Sequence, residues 1–236
     1  MDLNQPLTNA TLNIQNLQKI KKNIQKYSPH PHRVIIIGVT KTFCFSSIQS
    51  AEKNNIFHIG ENKIQETEQK TQNKKINPKT KLHLIGHLQS NKTLRAVGLY
   101  ETIQSVDSTK LLNKINTAAK KKNKKQKIFL QINITKTPTQ KGFNHTQALE
   151  AAQLTTKQEN IKLCGIMSIG KKTPNKETLK KNFYETNQIQ KKIQNKINPD
   201  CVSLSIGMSQ DYVLALQAGA THIRLGTVLF QKRNAK

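Results

Sequence analysis

Val34-Ile35-Ile36-Ile37-Gly38-Val39 decides the fold. Six apolar residues stand in a row with no polar alternation. A strand with one wet face alternates; a strand buried on both faces, as in a parallel sheet covered by helices, does not. Upstream, Thr8 to Tyr27 places Leu12, Leu17, Ile20 and Ile24 near helical spacing and predicts an amphipathic helix, broken at Pro29 and Pro31. Downstream, short β-type runs alternate with polar helical segments. The predicted strands are Ile56 to Ile59, Lys81 to Ile85, Glu101 to Val106, Lys127 to Asn133, Ile161 to Met167, Cys201 to Ser205 and His222 to Leu225. The helices between them start near Ser46, Lys63, Ser90, Ser108, Thr146, Lys176 and Gln210, with Asp107 or Ser108 placed to cap the fourth of these.

Eight strands separated by helices pair in parallel through right-handed crossovers. The expected class is α/β, a single (β/α)8 TIM-type barrel with an additional N-terminal helix, forming one domain over residues 1–236. Such a barrel takes about 250 residues. A doubly wound open sheet would put a glycine-rich turn after its first strand. Here that place holds Thr40-Lys41-Thr42-Phe43.

The net charge of +26 raises nucleic-acid binding first. Only four of the 39 basic residues are arginine (Arg33, Arg95, Arg224, Arg233), which leaves 35 lysines. Phosphate and base recognition favours the planar guanidinium. The lysines also travel with asparagine and isoleucine, as in Lys191-Lys192-Ile193-Gln194-Asn195-Lys196. The charge therefore reads as a solvated surface, and polyanion binding as the lesser reading. Ile, Leu, Val and Phe make up about a quarter of the chain, enough for a core. The apolar runs are too short to span a bilayer. Met1 to Pro6 carries no basic-then-apolar leader pattern. Cys44, Cys164 and Cys201 form no CxxC pair, so buried thiols in a reducing cytoplasm are expected. His83 and His87 span a strand and its turn rather than a helix, and no metal site is expected.

Chemistry in this barrel belongs at the C-terminal strand ends. Those ends deliver Lys41, then Gly60-Glu61-Asn62, Gly86 to Lys92, Gly207-Met208-Ser209, and Arg224-Leu225-Gly226-Thr227. A lysine just past an apolar strand is expected to be partly desolvated, which favours the neutral amine and suits a Schiff-base nucleophile. The competing reading is an ammonium that snorkels to water. Gly226 and Thr227 offer backbone N–H groups and a hydroxyl to an anion, more so if a helix starts there. Ser209 can add a hydroxyl or cap the helix near Gln210. Arg224 stands out because this chain writes nearly every other cation as lysine. It can serve as a fixed donor or pair with an interior carboxylate such as Glu61.

The chain resembles the pyridoxal phosphate homeostasis proteins, single-domain relatives of the alanine racemase N-terminal barrel. The resemblance rests on Val39-Thr40-Lys41-Thr42, Ile59 to Glu66, His83 to Lys92, Gln131 to Ile134, Gly165 to Ser168, Leu204 to Asp211 and Ile223 to Phe230, in that order. It implies pyridoxal 5′-phosphate held as an aldimine on Lys41, with Asn62 beside the ring. Ser209, Gly226 and Thr227 would hold the phosphate, and Arg224 would face the pyridine nitrogen. It further implies a carrier or reservoir in vitamin B6 homeostasis, without established catalytic turnover, that serves apo-enzymes transiently. An alanine racemase-like enzyme is the alternative. Departures from the family are Gln210, where an acidic residue is common, the Thr135 to Phe143 loop apart from Lys141-Gly142, and the tail Gln231-Lys232-Arg233.

Overall fold

A computed structural model describes residues 7–135, 140–170, 173 and 175–232. Met1 to Pro6, the middle of the Thr135 to Phe143 loop and Arg233 lie outside the described residues. Eight parallel strands close into a barrel: β2 (Ile35–Val39), β3 (His58–Glu61), β4 (Lys81–Leu84), β5 (Thr102–Val106), β6 (Gln126–Ile132), β7 (Ile161–Ser168), β8 (Ser203–Met208) and β9 (His222–Leu225). The pairing of Ile35 with His222 and Gly38 with Leu225 joins the last strand to the first. The α/β barrel expected from the apolar runs is the observed architecture. The crossover helices are α2 (Phe45–Lys53), α3 (Ile64–Thr71), α4 (Thr93–Leu99), α5 (Thr109–Lys121), α6 (His145–Thr155), α7 (Lys176–Lys196) and α8 (Tyr212–Gln217). Ser108 is the cap of α5; its hydroxyl accepts from the Leu111 N–H.

The N-terminal helix differs from its expected span. It is α1 (Ile14–Tyr27), capped by the Asn13 side chain, and the residues before it form β1 (Ala10–Leu12). That short strand pairs antiparallel with β10 (Phe230–Lys232), with Leu12 opposite Phe230. Ala10 and Leu12 are buried with Thr11 half-buried between them, a period of two that outweighs helix propensity here. The consequence reaches the C-terminal mouth of the barrel. Asn13 N donates to Leu229 O and Asn16 Nδ2 to Val228 O, so the chain start braces the loop after β9.

Other expectations shift locally. The Lys120 to Lys127 run ends α5, as the helix dipole favours, but Lys124 also donates to Val97 O and Tyr100 O and closes the end of α4. Of the cysteines, Cys201 alone is buried; Cys44 and Cys164 are half-buried. Among the described residues no helix is long and apolar enough to cross a membrane, and no cluster of three His, Cys, Asp or Glu residues is placed to hold a metal ion.

Candidate cofactor site

A cavity of about 720 Å³ opens at the C-terminal mouth of the barrel. Lys41, Asn62, Ser209, Arg224, Gly226 and Thr227 all line it. They come from the ends of β2, β3, β8 and β9, and topology alone brings them together.

Lys41 is exposed, which corrects the partial desolvation expected of it. The strand ends at Val39, Thr40 after it is fully buried, and Lys41 follows on the exposed side of the turn. What is buried is the clamp beneath. The Thr40 hydroxyl donates to Glu61 Oε1 at 2.6 Å, and Lys70 Nζ donates to Thr40 O at 2.7 Å and to Glu61 Oε1 at 2.6 Å. On the other side, Thr42 N donates to Glu66 Oε1. Thr42 sits at φ 66°, a left-handed conformation that costs a β-branched residue energy. Lys41 is therefore held on a short arc fixed at both flanks. Burial pushes the Glu61 carboxyl up, and the Lys70 ammonium and the Thr40 hydroxyl oppose that shift.

Asn62 is half-buried on the wall. Its place depends on Gly86, because a Cβ there would run into the Asn62 carbonyl oxygen. The Ser105 hydroxyl holds Gly86 by donating to its carbonyl at 2.6 Å.

Ser209 does not cap a helix. The following helix begins at Tyr212, and Asp211 occupies the preceding position, accepting from Met208 N. The Ser209 hydroxyl instead accepts from Gly226 N and Val228 N, each at 3.3 Å. Both bonds are long, and of the two amides only that of Gly226 belongs to a residue lining the cavity. Among the described residues no helix follows Gly226. A turn leads into β10, and Leu229 N and Phe230 N fold back onto Gly226 O. At this edge of the cavity the structure offers turn amides and the hydroxyls of Ser209 and Thr227.

Arg224 is buried, and no carboxylate lies within ion-pair distance among the described residues. The pairing with Glu61 is overturned, since Lys70 holds that carboxylate. The guanidinium donates from Nη1 to Ser205 O and Ser205 Oγ, and from Nη2 to Ser168 O. Burial lowers its pKa to about 10, and Asp211 partly offsets this. A buried cation satisfied only by neutral acceptors has charge left over for an acceptor atom in the cavity. The Lys41 amine, this guanidinium and the Ser209 and Thr227 hydroxyls on one cavity are chemistry that would fit a phosphorylated aldehyde with a ring acceptor. Thr40 and Glu66 stand in stretches the sequence already marked, but without a role; Lys70 was missed, since among so many lysines nothing marks it.

Eight parallel strands closed into a barrel with helices between them make the fold of the alanine racemase N-terminal domain, and the family model of that description matches residues 15–234. Within that class, the chain belongs to the pyridoxal phosphate homeostasis protein family. It is 33% identical to the pyridoxal phosphate homeostasis protein of Synechocystis sp. over 86% of this chain and 93% of the relative. The Aquifex aeolicus protein of that name is 29% identical over 92% of this chain and 95% of its own. PipY of Synechococcus elongatus, solved without PLP, superposes with a TM-score of 0.84 at 28% identity, covering 92% of this chain and 99% of PipY. Its structure with PLP bound gives 0.81 at the same identity and coverage. An alanine racemase of Clostridium difficile shares the fold at 18% identity and TM-score 0.71; this chain spans 58% of it.

Proposed function

We propose that the chain is one pyridoxal 5′-phosphate-binding domain that holds the cofactor covalently on Lys41 and acts in vitamin B6 homeostasis as a carrier or reservoir, not as an enzyme with turnover. The observation that carries this reading is the convergence of Lys41, Asn62, Ser209, Arg224, Gly226 and Thr227 on one cavity. When bound, pyridoxal phosphate supplies an electrophilic aldehyde that condenses with an amine and releases water. Lys41 Nζ is the nucleophile. Ser209, Gly226 and Thr227 hold the phosphate, and Asn62 lies against the ring.

Arg224 donates to the ring nitrogen. A permanent cation there keeps that nitrogen unprotonated, so the ring is a weak electron sink and carbanion chemistry is poorly supported. Racemisation also needs an acid/base on each face of the substrate carbon. Tyr27, Tyr100, Tyr184 and Tyr212 do not line the cavity. The Tyr100 hydroxyl pairs with Thr67, and the Tyr212 hydroxyl accepts from Asn23. Release to apo-enzymes in the cytoplasm completes the reading.

The test is loading of the purified protein with pyridoxal phosphate. The expected result is a yellow absorbance band that borohydride reduction converts to a stable adduct, located on Lys41 by peptide mass and absent in Lys41→Ala. A protein that cannot be loaded ends the proposal. Steady racemisation of alanine, abolished in Lys41→Ala, would establish the enzyme reading instead.

A further inference from the structure

A line of hydrogen bonds crosses the barrel interior from the cavity to the opposite mouth. Arg224 Nη1 meets Ser205 Oγ at 2.8 Å, Ser205 Oγ meets Gln104 Oε1 at 2.7 Å, Gln104 Nε2 meets His83 Nδ1 at 3.0 Å, and His83 Nε2 meets His58 Nδ1 at 2.9 Å. Gln104 is on β5 and Ser205 on β8, which are not neighbours in the sheet, so this contact bridges the interior. Gln104, Ser205, His83 and Arg224 are all buried.

The direction of the line follows from chemistry. A guanidinium has donors only. Ser205 Oγ therefore accepts from Arg224, and its one hydrogen goes to Gln104 Oε1. That leaves the Gln104 amide nitrogen facing His83, so His83 Nδ1 is the acceptor and its ring proton sits on Nε2. His58 Nδ1 accepts in turn. Both imidazoles must be neutral. Burial, with His222, His58 and Lys127 nearby, disfavours a charged His83. Burial, Lys81 and Lys127 disfavour a charged His58, against Glu101.

Building on the cofactor reading above, we propose that Gln104 and His83 are positioning residues for Arg224, acting through Ser205 along a one-way donor line that ends at His58. Gln104 takes the serine hydrogen, which leaves an oxygen lone pair facing the guanidinium. His83 accepts from the Gln104 amide nitrogen and so holds that end of the amide away from the serine. The guanidinium is thereby held in one orientation at the cavity floor before any ligand arrives.

The test uses ¹⁵N spectra of the unliganded full chain, in which four arginines keep the guanidinium region readable. Wild type is expected to show His83 protonated on Nε2 and not Nδ1, with slow rotation of the Arg224 guanidinium. In Gln104→Met that rotation is expected to quicken at least tenfold, and the dissociation constant for pyridoxal phosphate to rise roughly fivefold, the worth of one hydrogen bond. Gln104→Glu still accepts the serine hydrogen. It should restore slow rotation and move the His83 proton to Nδ1. The proposal is overturned if wild-type His83 carries its proton on Nδ1. It is also overturned if Gln104→Met lowers the melting temperature yet leaves rotation and affinity unchanged. Should Gln104→Met not fold, the wild-type tautomer decides. A wild type that takes up no pyridoxal phosphate but gives the expected spectra removes the cofactor reading and leaves the line standing.

Discussion

Lys70 Nζ lies 2.6 Å from Glu61 Oε1, and neither side chain has any exposed surface. Lys70 reaches this place from the last turn of α3, whose buried side it shares with Ile64 and Thr67. The pair joins that helix to the end of β3 and, through Thr40, to the residue before Lys41. Among the described residues Glu61 Oε2 has no hydrogen-bond partner, so within them the pair is not fully satisfied.

Removing the ammonium strands a buried carboxylate. Lys70→Met is expected to destabilise the protein by about 3–5 kcal/mol, since breaking a buried pair costs more than the pair is worth. Glu61→Gln in the same chain should recover part of that loss. Urea unfolding of the single and double variants measures both; a double variant no more stable than Lys70→Met would refute the account.

Acid should unfold this protein early because of its interior histidines. Burial, the neighbouring His58 and the Arg224 charge lower the His222 pKa to about 3. An unfolded histidine takes up a proton near pH 6.5. Between those values the unfolded chain binds more protons, so the His222 contribution is complete above pH 6.5 and is lost as pH falls toward 3. Between pH 7.5 and 5 the loss from His222 is about 2 kcal/mol. His83 and His58 act in the same direction. Urea midpoints at the two pH values, for wild type and His222→Gln, give the answer: the variant should lose less. Equal losses would mean that His222 is charged or exposed in the folded state.

The barrel was legible because each strand carries a local signal, an apolar run bounded by polar helix-type segments. The β1–β10 pair was not. Each partner is three residues long, and their register is set by contacts between the two ends of the chain rather than by neighbours. The site divides the same way. Lys41, Ser209 and Thr227 are marked by their place after a strand, and Arg224 by the scarcity of arginine. Lys70 is hidden among 35 lysines. Gln104 and Ser205 carry no local signal; they lie on strands far apart in the chain, and only closure of the barrel sets them face to face.

Ser209 offers the sharpest check on the anion cup. Its hydroxyl ties the end of β8 to the turn amides of Gly226 and Val228, and the one part of the cofactor it is proposed to touch is the phosphate. Ser209→Ala should therefore weaken pyridoxal phosphate binding by roughly tenfold, the scale of one hydrogen bond to a charged group. Binding of pyridoxal, which has the aldehyde but no phosphate, should change little, and capture by Lys41 should survive. Titration of both compounds by absorbance separates the outcomes. Equal weakening of both would mean that Ser209 shapes the loop rather than holding the phosphate.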